Sequence, residues 1–564
     1  MTLLDRARVV SQLGRAALAW LRLDTGYPSP VPENPKFMTP RDAVRLIRDG
    51  DVLATSGLGG NQRAAVLYAA IREAFAARGH PAHLTVISLG GQGGRGRAPG
   101  TLEELGQRGL CTRLIAGHFE TYRAMLELAA QGECELQCIP QGTLALLLDG
   151  LGRGRTTRLS AVGVGTALDP RVGPGSAVGG AGEALITAHG ARLRYRIPPV
   201  DVALFNAPAA DRRGNLYASH CAMIGETVEI ARAAKRNGGR VIANVGLLVE
   251  EGHDRVLLPA EMVDAVVYHP DTEQTAGVPH REHWAAVSTA GNVAIADALE
   301  RVDFVNQLAG MTARRGAADH AVARLAASVL LANVRRGATV NIGVGLPEEV
   351  ARAVFEAGRL DDVTFAIESG VIGGLPASGV YFGAALCPRA IHSSAQVFRQ
   401  WSRHLDATCL GALQVDSLGN VNVSRRGDGP RHYVGPGGFI DLTAAARVIV
   451  FVSPWMVHGE PVIADGRLRI ARAGAPKFVE RVDEITFDAA RALAAGKRVF
   501  YATHVGLFRL TGRGVELAAV MPGIDVRRDI LGATPMRILR PRSGRVPLLP
   551  AELLDGGRSL VAMR

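Results

Sequence analysis

The chain has 564 residues, 47% of them hydrophobic, 21% charged and only 5% aromatic, with a formal net charge of +11. That length allows two or three domains with large cores, and the sparse aromatics, with no basic run threaded between them, argue against a nucleic-acid-binding surface. Nearly all of the positive charge is arginine, the only lysines being Lys36, Lys235, Lys477 and Lys497; it reflects either an Arg- and Ala-rich composition or attraction of an anionic, nucleotide-containing ligand.

Residues 1–24 read as an amphipathic helix, because Leu3, Leu4, Val9, Val10, Leu13, Ala17, Leu18 and Trp20 recur at helical spacing while Arg6, Arg8 and Arg15 interrupt any signal-peptide core. No run of 18 apolar residues occurs, so no membrane span is expected. Tyr27-Pro28-Ser29-Pro30-Val31-Pro32-Glu33-Asn34-Pro35 predicts a stiff linker, and Thr39-Pro40-Arg41-Asp42 a helix start that opens the globular body. Apolar strands then alternate with helices at 51–56, 84–88, 113–115, 202–205, 241–245 and 265–268, which argues for a mostly parallel sheet. Six scattered cysteines include Cys134 and Cys138, but no second ligand pair accompanies them. A zinc site is not expected, and the thiols fit a reducing cytoplasm.

A polar helical stretch at 295–325 precedes a second block with strands predicted at 339–342, 363–367, 448–452 and 499–502. Asp211-Arg212-Arg213-Gly214-Asn215-Leu216 matches Asp416-Ser417-Leu418-Gly419-Asn420-Val421 as an acid-led Gly-Asn turn, and the glycine-rich loops after 51–56 and 339–342 also correspond. The expected fold is therefore two related, open, mostly parallel α/β domains with an N-terminal helical extension. The divisions are 1–37 (helix and linker), 38–294 (first domain), 295–325 (connection) and 326–564 (second domain).

Three loops carry candidate chemistry. In Val363-Thr364-Phe365-Ala366-Ile367-Glu368-Ser369-Gly370 a buried strand ends in a carboxylate followed by small residues. Reactive groups in open α/β sheets sit beyond the carboxyl ends of strands. A carboxylate is ionised at neutral pH and needs no partner base to act as a nucleophile. The same glutamate could equally be an N-cap, a surface acid or half of an ion pair. Asn341-Ile342-Gly343-Val344-Gly345-Leu346-Pro347 offers backbone amides to an anion at a helix start, though it lacks the third glycine of a dinucleotide fingerprint. Gly435-Pro436-Gly437-Gly438-Phe439-Ile440-Asp441 is either an amide-presenting loop or an ordinary turn before a helix.

Taken together, these segments resemble family I CoA-transferases, closest to the single-chain acetate/propionate (short-chain acyl) type. The likeness runs from about residue 38 to 545. It rests on Gly117-His118-Phe119, Pro140-Gln141-Gly142-Thr143-Leu144, Asp169-Pro170-Arg171, the two acid-led turns, Asn341–Pro347, Glu368-Ser369-Gly370 with Gly373-Gly374, Gly435–Asp441, and Pro522-Gly523-Ile524-Asp525. The resemblance implies Glu368 as the covalent nucleophile. It also implies backbone amides of Gly437 and Gly438 at the oxyanion, Asn341, Gly343, Gly345 and Gly373 beside CoA, and Gln141 at the acyl or carboxylate group. No metal or redox cofactor is implied, since CoA and acyl-CoA are substrates, and relatives assemble as dimers or tetramers. Departures include Val505 after His504 in place of the usual acid, Ser453-Pro454, and a loop Leu58–Arg63 without its usual proline. The implied reaction is ping-pong CoA transfer from a short-chain acyl-CoA to a carboxylic acid, in the cytoplasm, without a membrane or nucleic-acid partner. The alternatives are an acyl-CoA hydrolase on the same scaffold and a catalytically silent ligand-binding protein.

Overall fold

Long β-rich runs flanked by glycines form two mostly parallel sheets, seen in a computed structural model that describes residues 1–561 except 95, 97, 180, 181, 311–313, 558 and 559. The first sheet contains β1 (Val52–Thr55), β2 (Leu84–Ser88), β3 (Cys111–Ala116), β4 (Glu135–Cys138), β5 (Val202–Asp211), β6 (Arg240–Val249) and β7 (Ala265–Tyr268). Their order is β4-β3-β2-β1-β5-β6-β7, all parallel. Every residue of β5 is buried, as expected of a central strand covered by helices on both faces.

The second sheet contains β8 (Ala338–Ile342), β9 (Val363–Phe365), β10 (Leu405–Leu410), β11 (Ala446–Val452), β12 (Arg498–Thr503), β13 (Gly506–Thr511) and β14 (Gly514–Val520). The order is β9-β8-β10-β11-β12-β13-β14. The first five strands are parallel and the last two antiparallel. After β8 the chain places β9 on one side and β10 on the other. The carboxyl ends of β8 and β10 therefore form a switch point, where open α/β sheets bind ligands.

The kinship of the two domains shows in the acid-led turns. Asp211 accepts from the amides of Arg213 (2.9 Å) and Asn215 (3.0 Å), and Gly214 has φ +93. Asp416 accepts from Leu418 (3.0 Å) and Asn420 (2.9 Å), and Gly419 has φ +92. Each turn joins a short antiparallel pair. The acid satisfies amides that the turn leaves unpaired, and glycine supplies the left-handed residue.

The helix Leu3–Leu21 begins at Thr2, whose hydroxyl and Asp5 form a reciprocal cap. It buries Val9 and Ala16 against the body, and its Trp20 indole donates to Glu273 (3.3 Å). The Pro-rich segment expected as a linker instead lies on the first domain. Val31 is fully buried there, and the Tyr27 ring sits 5.0 Å from His269. Proline stiffness was legible from composition; the apolar side chains that pin the segment made it part of the core surface. The expected connection is two helices, Ile295–Ala309 and Ala317–Asn333, and its residues 311–313 lie outside the described residues. The second helix runs through the 325/326 division and packs on second-domain elements. Among the described residues no helix is long and apolar enough to cross a membrane, and no cluster of three His, Cys, Asp or Glu could hold a metal.

Candidate active site

Strand β9 ends at Phe365, and the chain turns immediately through Ile367-Glu368-Ser369-Gly370, closed by the Gly370 amide on the Ile367 carbonyl (3.0 Å). Glu368 occupies the second turn position and is only 7% exposed. Gly370 has φ +103, and a Cβ there would collide with the carbonyl oxygen of His392. The Ser369 hydroxyl donates to the Gly383 carbonyl, which holds the other side of the turn.

Asn341, on β8, reaches the carboxylate directly. Its Nδ2 donates to Glu368 Oε2 (3.1 Å) and to the Ala366 carbonyl (3.2 Å). Its Oδ1 accepts from Thr408 Oγ1 (3.1 Å) on β10, the residue in register with it. All three of these contacts are buried, so the chain Thr408–Asn341–Glu368 leaves the carboxylate one defined orientation. No arginine, lysine or histidine pairs with Glu368 among the described residues. Burial pushes its carboxyl above the usual glutamate range, while the turn's own backbone bond and the Asn341 amide pull it back.

This arrangement suits a nucleophile. The carboxylate is desolvated, which strengthens its attack on an electrophilic carbon, and no cation neutralises it. If Glu368 is the nucleophile, only its ionised form attacks, and turnover rises with pH through the elevated pKa. Removing the Asn341 amide takes away a bond that favours ionisation. Asn341→Ala is therefore expected to move the acid limb of kcat/KM to higher pH, by about 1–2 units for a charged hydrogen bond of roughly 1.5–3 kcal/mol. A pH–rate profile with an unmoved acid limb would refute the assignment.

The turn stands at the domain seam. Leu58 of the first domain packs in one apolar cluster with Ile367, Val371 and Ala385. Asn61 donates to the Phe382 carbonyl (2.8 Å), and the Ser394 amide donates to Gly225 (2.9 Å). Beside that contact Glu226 is buried, its carboxyl pushed up to about 7 by desolvation, and its backbone amide is held by Ser56 Oγ (3.0 Å).

The other expected site residues fall into separate places. Gln141 opens the helix Gln141–Gly152 with its amide on the Gly437 carbonyl (3.0 Å), and a Cβ at Gly438 would stand 3.9 Å from its Oε1. Gln141, Gly437 and Gly438 are thus one cluster across the seam. The Gly437 N–H, however, donates to the Gly117 carbonyl (2.7 Å), so in this conformation it is a domain staple and not a free oxyanion donor. The Gly343 N–H likewise donates to Cys409 (2.8 Å), and a Cβ there would press on Leu410 Cδ2 (2.9 Å). Gly345, at φ +91, keeps an open flank near Arg315. Gly373, expected beside CoA, is buried with its amide on Phe365 (2.7 Å), and a Cβ would meet Arg389 Nε at 2.6 Å. Its role is to reverse the chain beside β9. The sequence reading missed Thr408, because the 405–410 strand was not recognised; Leu405-Asp406-Ala407-Thr408-Cys409-Leu410 offers only a short β-branched signal.

The family profile described as coenzyme A transferase matches residues 37–269. The caffeate CoA-transferase of Acetobacterium woodii is 31% identical over 511 residues, covering 88% of this chain and 93% of that protein. The acetate CoA-transferase of Escherichia coli strain K12 is 30% identical over 506 residues, covering 88% and 91%. The crystal structure of an acyl-CoA transferase apoenzyme from E. coli O157:H7 superposes with a TM-score of 0.82 at 28% identity, over 95% of this chain and 99% of that one. A thioester complex of that enzyme with CoA gives a TM-score of 0.81 at 27% identity.

Proposed function

Because this chain belongs to the family I CoA-transferases in their single-chain form, we propose that it moves CoA from a short-chain acyl-CoA to a carboxylic acid through a thioester on Glu368. The enzyme is a CoA-transferase; the acids and the covalent route are the further reading. The observation that carries it is the buried, cation-free Glu368 carboxylate held by Asn341 at the domain seam.

Glu368 Oε attacks the thioester carbonyl, the C–S bond breaks, and the products are an acyl–glutamyl anhydride and CoA thiolate. The thiolate then attacks the glutamyl carbonyl. The anhydride C–O bond breaks, the original acid leaves as its carboxylate, and CoA stays bonded to the glutamyl carbon. An acceptor carboxylate reverses both steps. Each step passes through a tetrahedral oxyanion that a hydrogen-bond donor must meet, and loss of one such donor typically costs about 3 kcal/mol of barrier. Because the Gly437 amide is engaged on Gly117, its use as that donor requires the seam to open. The CoA thioester complex solved for the E. coli relative supports a covalent CoA intermediate in this architecture. The relatives named for acetate and caffeate frame the range of acids worth testing. Slight exposure of Glu368 favours transfer over hydrolysis, because water has little access to the intermediate.

The test is to incubate the enzyme with acetyl-CoA alone, then treat it with borohydride or hydroxylamine and map the modified peptide. Modification confined to Glu368, with acetyl-CoA consumption that stalls after one equivalent until an acid is added, is the expected result. Continuous thioester loss without an acceptor would make the enzyme a hydrolase. An unmodified Glu368 would end the covalent route.

A further inference from the structure

A cavity of about 520 Å³ at the domain seam is not lined by Glu368. Its second-domain wall includes Ser402, Ala445 and Lys497, which precede β10, β11 and β12. It therefore lies at the amino ends of strands whose carboxyl ends belong to the Glu368 side. Its first-domain wall includes Thr143, on the helix that Gln141 opens, and Arg158.

The charges around this cavity are unbalanced. Arg158, Arg192, Arg491 and Lys497 line it against only two carboxylates, Asp441 and Asp488. Both carboxylates are engaged elsewhere. Asp441 accepts from the Gly142 amide and Thr143 Oγ1, each at 2.8 Å, and Asp488 caps the Arg491 amide at 3.1 Å. None of the three arginines forms an ion pair among the described residues. Arg158 Nε is closed off from solvent and makes no hydrogen bond there. Asp441 attracts the half-buried Arg158 guanidinium without forming a direct ion pair, so its buried Nε still lacks an acceptor, which an anion would supply. The apolar part of the wall includes Phe398 and Trp401, packed edge to face with centroids 5.2 Å apart.

We propose that this cavity is a second ligand site, separate from the acyl-transfer centre, that takes a small organic polyanion carrying phosphate groups. Its volume lies within the usual range for small-molecule sites. Planar arginine forks match phosphate oxygens two at a time. Four cations spread around one space suit a multiply charged ligand.

Isothermal titration of the full-length protein with pyrophosphate and with ADP tests this. Binding should weaken about 10- to 100-fold in Arg158→Gln and in Arg491→Gln, the loss expected for a charged hydrogen bond. It should persist in Glu368→Gln and in the presence of saturating CoA. Arg192→Gln, at an exposed rim position, serves if Arg158→Gln fails to fold, and should also weaken binding. The proposal is overturned if the wild type binds neither probe at millimolar concentration, or if the arginine variants bind as the wild type does. Displacement of both probes by CoA would make the cavity part of the CoA site. Tighter binding of acetate than of pyrophosphate would make it an acid site.

Discussion

Glu368→Gln is expected to lower kcat by at least about 10⁴-fold, or roughly 5 kcal/mol of barrier. Glutamine has the same shape and can keep a hydrogen bond with Asn341, so the turn should fold unchanged. The neutral amide, however, is too poor a nucleophile to form the anhydride, and no neighbouring group can take its place. Its side-chain partner Asn341 is an amide, and Thr408, which holds Asn341, donates its hydroxyl to that amide. Glu368→Asp keeps the charge but withdraws it by one methylene, and a displacement near 1 Å can cost about 10²-fold. The ordering wild type, then Asp, then Gln should appear in steady-state rates with acetyl-CoA and any accepted acid. Retention of more than a few per cent of activity by the glutamine variant would remove Glu368 from the reaction.

The second large effect is expected at Gly370, two residues on. Its φ of +103 is a conformation that side chains disfavour, and a Cβ would collide with the carbonyl of His392. That same residue's amide donates to the Gly370 carbonyl (2.9 Å), so the backbone cannot withdraw without breaking a bond. Gly370→Ala should therefore destabilise the second domain by at least about 2 kcal/mol, from backbone strain and overpacking combined. It should also cut kcat about 10²-fold by shifting the carboxylate off its Asn341 contact. Gly512→Ala is the matched control: a Cβ there meets nothing within 4 Å, and its effect should stay within about 0.5 kcal/mol. Urea midpoints and kcat for the two variants check both statements. If Gly370→Ala matched the control in both, the turn would not be what positions Glu368.

These two expectations differ in how much of them was visible beforehand. Glu368 stood out because a strand pattern ended in an acid among glycines, a local signal confined to eight residues. The need for glycine at 370 was also local, in that a tight turn after a strand favours it. What it avoids, the His392 carbonyl, lies 22 positions downstream and depends on how the following loop folds back. Gly373, expected beside CoA, has the Arg389 side chain against it. A glycine pattern signals that something comes close, but not whether that something is ligand, side chain or backbone. Gly437 makes the same point, since its amide meets Gly117 across the domain seam.

The sequence by itself determined the alternation of strands and helices, the paired acid-led turns that relate the two domains, and which carboxylate is the candidate nucleophile. Those features depend on periodicity and on residues within a few positions of one another, where backbone geometry is set by local sterics. Only the tertiary structure decided that Asn341, 27 residues away, would hold that carboxylate and that Thr408, 67 residues from Asn341, would hold the amide. It also decided that burial would raise the Glu368 pKa, and that unpaired arginines from both domains would gather around one cavity. Strand order, register and the closing of one domain on the other bring those groups together, and no pattern along a single segment encodes them.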